Sequence, residues 1–342
     1  MKDEAKHAIA RNRKAAWTLA LLTPLIAELT FGSTPFRFTY LVLLWLPIYG
    51  AGVLLIRELV MRAGRGWPSI ILLGLAYELA EDGLGLQALT SPHLYHAADW
   101  APQILGFNIA YWILNIIYHV VFSAVIPIFI TNLIFPAFKD KPYLKKGGLV
   151  WAGLFAILGV LMMRGAVPPN QDPGYNEPLA VIVGCVVAII TIGIVALRLL
   201  PRRQVVATTN TAVPSTMNLA GFGAASTMVV FALMYPFAGA HQPLFTHGAW
   251  AYVPIAVGAA LAIWTYRIIA RWSRSSRWSS RTALALAGGA LVGHTLFGFM
   301  AAKLQVIDRL GLASMLAVMI WLLYRLYRRQ SQPAPTEPTA AS

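Results

Sequence analysis

Apolar residues fall along this chain in blocks, and short connections of different character separate the blocks. A helix needs roughly 20 apolar residues to cross the hydrocarbon core of a bilayer. Ten runs approach that length: residues 15–31, 38–56, 68–89, 108–133, 149–163, 179–199, 219–238, 250–269, 282–301 and 310–326. They predict an all-α fold, a polytopic transmembrane helical bundle of about ten spans. The first run contains Pro24 and Glu28 and no clear small-x-small cleavage site follows it, so it reads as an uncleaved span rather than a signal peptide. Residues 1–329 read as one integral membrane domain, with 1–163 and 179–329 as candidate halves. Residues 204–218 read as a flexible cytoplasmic linker between the halves. The polar, Pro-rich stretch 330–342 reads as a disordered cytoplasmic tail.

Composition supports the same solvent. The chain is 58% hydrophobic and only 12% charged, about half the charge of a soluble protein. The net charge of +14 would suit a nucleic-acid ligand, but no basic helix or aromatic RNA-binding motif accompanies it. The basic residues instead occupy alternate connections. Lys2, Lys6, Arg11, Arg13 and Lys14 precede the first run, and Arg57, Arg62 and Arg65 follow the second. Lys139, Lys141, Lys145 and Lys146 follow the fourth, and Arg198, Arg202 and Arg203 the sixth. Arg267, Arg271, Arg274, Arg277 and Arg281 follow the eighth, and Arg325, Arg328 and Arg329 end the tenth. Only Arg37, Arg164, Lys303 and Arg309 fall on the other side. This asymmetry predicts both termini in the cytoplasm. The expected partners are the lipid bilayer and anionic lipids at its cytoplasmic face, and no nucleic acid.

The chemistry lies in the polar residues inside the runs. In the third run, Glu78, Glu81 and Asp82 share one helix face. Carboxylates that close cannot all ionise in a low dielectric, so at least one holds a proton or a cation neutralises them. The fourth run carries Asn115, His119 and Ser123 at four-residue spacing. The ninth carries His294, preceded by Gly289 and Gly293, a GxxxG spacing that allows close helix approach. Glu28 stands near the outer end of the first run and reads as an interfacial pair with Arg37. Arg57 and Glu58 read as a solvated rim pair. The outer connections hold His93, His96 and Asp99, and further on His241 and His247, which are weak metal signals. The lone Cys185 reads as a small buried hydrophobe. There is no HExxH, Walker A, GxSxG or GxGxxG motif.

Three functions fit this pattern. The first is proton- or cation-coupled transport of a small substrate, with Glu78, Glu81 and Asp82 as proton or cation sites and Glu28, Asn115 and Ser123 as ligand-binding groups. A five-plus-five division would invert the second half and set the fourth run against the ninth, each with a central His. The second is hydrolysis at a metal held by Glu81, His119 and His294. The third is a non-catalytic assembly or partner-binding role in which the polar residues tie helices together.

Adjacent acids on one run, a His on the next and a His on a later one resemble the plan of the CPBP family, the CAAX- and bacteriocin-processing intramembrane metalloproteases. That plan is EExxxR, then FxxxH, then HxxxN or a similar residue, and Glu81–Asp82, His119 and His294 are the matching positions. Leu86, Asn115 and Gly298 stand where the plan has arginine, phenylalanine and the final polar residue, and the last His lies further along. The resemblance implies Zn²⁺ on Glu81 or Asp82 with His119 and His294, and Glu78 as base to the metal-bound water. Separately, AELTFGSTP and LLIRELVMRAGRGWPSIILLGLAYELAEDGL resemble a bacterial multi-pass membrane family of no established activity, over roughly the first 90 residues. That implies a bacterial cytoplasmic (inner) membrane and no mechanism.

Overall fold

The computed structural model describes residues 2–203, 208–235, 248–300 and 304–330, with side chains from residue 12 onward. His241, His247, Lys303 and the tail beyond Gln330 lie outside the described residues.

The described residues form helices and no β-strand. In lipid every backbone N–H and C=O must be satisfied within the protein, and a helix does this inside each segment. Ten long helical segments follow the ten apolar runs: α1 (2–29), α2 (Phe36–Arg62), α3 (67–85), α4 (Ile109–Ile134), α5 (Lys146–Gln171), α6 (Leu179–Leu199), α7 (Thr216–Met234), α8 (Gly248–Trp272), α9 (Ser280–Gly298) and α10 (Val306–Arg329). Seven of them, α2, α4–α8 and α10, are long and apolar enough to cross a membrane. The other three carry the polar load: basic residues at the start of α1, three acids in α3, and Arg281, His294 and several glycines in α9. The protein is an all-α polytopic bundle.

Burial places α4 at the centre. Of its most apolar window, 56% is buried, against 11% for α6. The peripheral helices α5, α6, α8 and α10 turn Trp151, Leu161, Val187, Trp264 and Trp321 outward, as a lipid solvent permits. The most extensive helix pair is α7 with α9, and its closeness follows from small residues. A Cβ on Gly293 would lie 2.6 Å from the Ala224 carbonyl oxygen, and one on Gly289 would collide with the Ala220 carbonyl. The GxxxG spacing thus sets a backbone-to-backbone contact. Cys185 on α6 is buried against Leu79 and Leu89.

Five π-helical turns interrupt these helices, at Leu25–Leu29, Leu46–Ala51, Leu79–Gly85, His119–Val125 and Val195–Leu199. Such wide turns are rare and concentrate at functional positions.

The structure corrects three expectations. Arg57 and Glu58 are not a solvated rim pair, since both are fully buried. The 135–145 connection folds back over them. Arg57 donates to the carbonyls of Phe138 (2.8 Å), Lys141 (3.1 Å) and Lys139 (3.2 Å) and lies 3.3 Å over the Tyr143 ring. Glu58 accepts from the Tyr143 and Leu144 backbone N–H groups and pairs with Arg57 at 3.4 Å and Arg62 at 3.5 Å. Glu28 does not pair with Arg37, which instead holds Asp308 at the start of α10. The described part of the 204–218 linker is pinned, because Thr209 exchanges backbone hydrogen bonds with Arg274 (2.9 Å) and Ser276 (3.0 Å) of the α8–α9 connection.

Candidate functional site

The first four helices converge on a buried polar cluster, and each brings a polar group on a π-helical turn. Glu28 lies in the wide turn of α1, Tyr49 in that of α2, Glu81 and Asp82 in that of α3, and His119 and Ser123 in that of α4. A π turn bonds i to i+5, so it advances the helix face by less per residue than the α-helix around it. That widening is what departs from the sequence-level picture of three acids on one regular stripe.

Glu81 turns toward α4, where its Oε2 lies 3.4 Å from His119 Nδ1. The same His119 nitrogen lies 3.1 Å from Ser123 Oγ. Glu78 meets α4 nearer its start and accepts from Trp112 Nε1 at 2.8 Å. Asp82 lies against Glu78, one turn on. Glu28, partly exposed, accepts from the Tyr49 hydroxyl at 2.7 Å and from Thr34 Oγ1 at 2.8 Å. The Tyr49 and Tyr77 phenols also face Glu81, and both rings flank His119, with centroids 6.2 and 5.9 Å away.

Electrostatically the cluster is one-sided. Glu78, Glu81 and Asp82 are at most 1% exposed. Among the described residues none of them has a Lys or Arg ion partner, and the only paired base is His119. One oxygen of each carboxyl, Glu78 Oε1, Glu81 Oε2 and Asp82 Oδ2, is buried without a hydrogen-bond partner, as is the Tyr77 hydroxyl. Burying ionised carboxylates in this state is prohibitive, so their charge must be balanced by protons or by a small cation.

Other residues singled out from the sequence stand apart. His294 is fully buried among aromatic rings, with centroids at 4.3 Å for Phe122, 4.7 Å for Phe31 and 5.6 Å for Tyr118. Both its ring nitrogens lack a hydrogen-bond partner. Tyr118 lies between the two histidines, 5.2 Å from His119. Glu81 and His119 therefore meet, and His294 does not join them. No group of three or more His, Cys, Asp or Glu among the described residues is arranged to hold a metal ion. Asn115 is half-buried and donates to the Tyr111 carbonyl of its own helix at 3.0 Å. In the α3–α4 connection His96 pairs with Asp99 at 3.1 Å on the surface. Ser123 and Glu81 both address Nδ1 of His119, whereas a nucleophilic serine needs the opposite ring nitrogen from the acid.

Tyr49, Tyr77, Trp112 and Thr34 are the members that sequence reading missed. Each sits in or beside an apolar run as an amphipathic or small residue, and such residues pass for packing unless their polar atom is placed. The pairing of each with a carboxyl depends on helix rotation, which periodicity does not fix.

A family model described as an uncharacterized membrane protein family matches residues 18–329. No curated protein and no solved structure matches the chain significantly.

Proposed function

We propose, from the premise that this chain belongs to that uncharacterized membrane protein family, that it is a proton- or cation-coupled transporter of a small substrate. The carrying observation is the trio Glu78, Glu81 and Asp82, fully buried with no Lys or Arg partner among the described residues. Charged groups at such a depth are costly and as a rule mark ion or proton pathways. Four wide helical turns meeting at the cluster add local backbone freedom where binding and release of an ion need it. On this reading Glu81 and Asp82 exchange the coupling ion, His119 is the neighbouring proton donor and acceptor, and Glu78 is held by Trp112. All ten helices then cross the bacterial inner membrane, with both termini in the cytoplasm as the basic connections indicate. The zinc-hydrolase alternative needs Glu81, His119 and His294 around one ion, and the aromatic packing around His294 weighs against it.

The test is proton movement in vesicles. Purified protein is reconstituted around a pH-sensitive dye, a pH gradient is imposed, and pools of small polar solutes are added. Solute-dependent proton flux is expected with the native chain and is lost in Glu81→Gln and Asp82→Asn, while size-exclusion profiles stay unchanged. Zinc is measured on the same preparation. Flux equal to protein-free vesicles for every pool and every monovalent cation, or stoichiometric zinc lost in His119→Ala, would overturn the reading.

A further inference from the structure

A groove of about 370 Å³ runs down the outside of the bundle between α7, α9 and α10. Gly221 and Ala224 of α7, Gly288 and Val292 of α9, and Leu323 of α10 line it, and Tyr327 stands at one end. Its walls are almost wholly apolar. Along α9 it extends from Leu284 to Val292, about 12 Å of helix rise, which is close to the depth of one leaflet of a hydrocarbon core roughly 30 Å thick. Two of its lining glycines leave open space beside them. A Cβ on Gly221 would meet nothing within 4 Å, and one on Gly288 would make only an ordinary 3.5 Å contact with Leu323.

The charge at the Tyr327 end is the second, independent observation. Arg281 lies over the Tyr327 ring at 4.6 Å and donates to its hydroxyl at 2.9 Å. Its Nε, buried, has no hydrogen-bond partner. Arg325 and Arg328 follow on the same end of α10. The chain has no Asp or Glu between Glu177 and Asp308, and Asp308 sits at the opposite end of α10 holding Arg37. Among the described residues none of these arginines has an ion pair. An apolar channel one leaflet deep that ends at Arg281, which has no ion pair among the described residues, matches an amphiphile with an acyl chain and an anionic head.

We propose that this groove is a binding site for an anionic phospholipid, with one acyl chain lying between α7, α9 and α10 and the phosphate held by Arg281 beside Arg325 and Arg328. The site is separate from the acid cluster, so it stands whether or not the transport reading does. Guanidinium groups suit phosphate because their planar donors reach two oxygens at once. The lipid would fill the groove and tie α10 to the α7–α9 pair.

The experiment uses the full chain in detergent with two probes of identical chains, phosphatidylglycerol and phosphatidylcholine, read by native mass spectrometry and thermal unfolding. Phosphatidylglycerol is expected to bind the native protein and raise its melting temperature more than phosphatidylcholine does. Arg281→Gln is expected to weaken phosphatidylglycerol binding by roughly fivefold, the scale of one basic residue at an anionic surface, and to leave phosphatidylcholine unchanged. Gly221→Leu, whose Cβ would meet nothing within 4 Å, puts a side chain into the groove and is expected to abolish retention of both lipids. Equal binding of the two lipids by the native protein overturns the proposal without recourse to any variant. Unchanged lipid binding in Gly221→Leu also overturns it, and so does conversion of a native dimer to a monomer by that substitution, which would make the groove a contact between copies of the chain.

Discussion

Replacing Gly293 with alanine places one methyl group where α9 and α7 touch backbone to backbone. The added carbon would stand 2.6 Å from the Ala224 carbonyl oxygen and 3.0 Å from its Cα. Carbon–oxygen contacts settle at about 3.3 Å or more, so the two helices must part by about 0.7 Å. Overpacking of this kind costs about 1–3 kcal/mol. The gain from alanine's better helix propensity, about 0.9 kcal/mol, offsets part of that. The expected net loss is about 1 kcal/mol. Gly221→Ala and Gly288→Ala serve as internal controls in the same two helices, because each has room for the methyl group. They gain the propensity term alone, so the spread between test and control is about 2 kcal/mol. Reversible unfolding in mixed micelles with a rising mole fraction of dodecyl sulfate measures it. His294 follows Gly293 directly and packs near Phe231 of α7 at 6.1 Å, so near-ultraviolet circular dichroism of the aromatic packing should change in Gly293→Ala alone. If Gly293→Ala unfolds at the same point as Gly221→Ala, the claim that glycine sets the α7–α9 distance is refuted.

Three further outcomes are expected. Glu58→Gln leaves the buried Arg57 facing only neutral acceptors, and breaking a buried pair this way costs about 3–5 kcal/mol; a loss below 1 kcal/mol in the same unfolding assay would show that the carbonyls of the 135–145 connection suffice alone. Tyr49→Phe removes the 2.7 Å hydrogen bond to Glu28, so a loss of about 1–2 kcal/mol is expected, and a variant as stable as the native chain would deny that bond its weight. Glu177, in the connection before α6, has its pKa raised by burial despite its 3.3 Å pairing with Arg164. A raised folded pKa favours the folded state below the unfolded value near 4.5 and withdraws that support as pH climbs through the folded value. The melting temperature of Glu177→Gln is therefore expected to gain on the native protein as pH rises from 4.5, and a gap that narrows or stays flat would contradict this.

The sequence made the bundle legible because each long apolar run demanded a helix whatever its neighbours did. Glu78, Glu81 and Asp82 stood out for a similar reason, since three acids in an apolar run have no ordinary packing role. Pairings were harder to read. Arg57 and Glu58 sit at the end of a run with basic neighbours, which looks like a wetted rim, and only the return of Phe138–Leu144 over them shows otherwise. Glu28 is nine residues from Arg37, yet the chain reverses between them and delivers Arg37 to Asp308, 271 residues away. His294 had the spacing of a ligand and not the surroundings of one, because Tyr118 and Phe122 come from α4 and Phe31 from the turn after α1. Side-chain partners across a bundle depend on helix rotation, and the wide turns in α1–α4 alter that rotation in a way no hydrophobic period records.

Those wide turns bear on how the gene can change. A π turn holds one residue more than the α-helical winding on either side accommodates. Deleting a single residue within Leu79–Gly85 would let α3 relax into unbroken α-helix, a backbone with every hydrogen bond made and an unchanged ability to insert. What would be lost is aim within the turn itself, since Leu79–Gly85 would return to regular α-helical spacing while the helix on either side keeps its face. Glu81 or Asp82 would then face elsewhere. Single-residue deletions in these four segments are thus expected to spare the amount of protein in the membrane and erase its activity, whereas a deletion midway along α5, which has no such slack, would harm both.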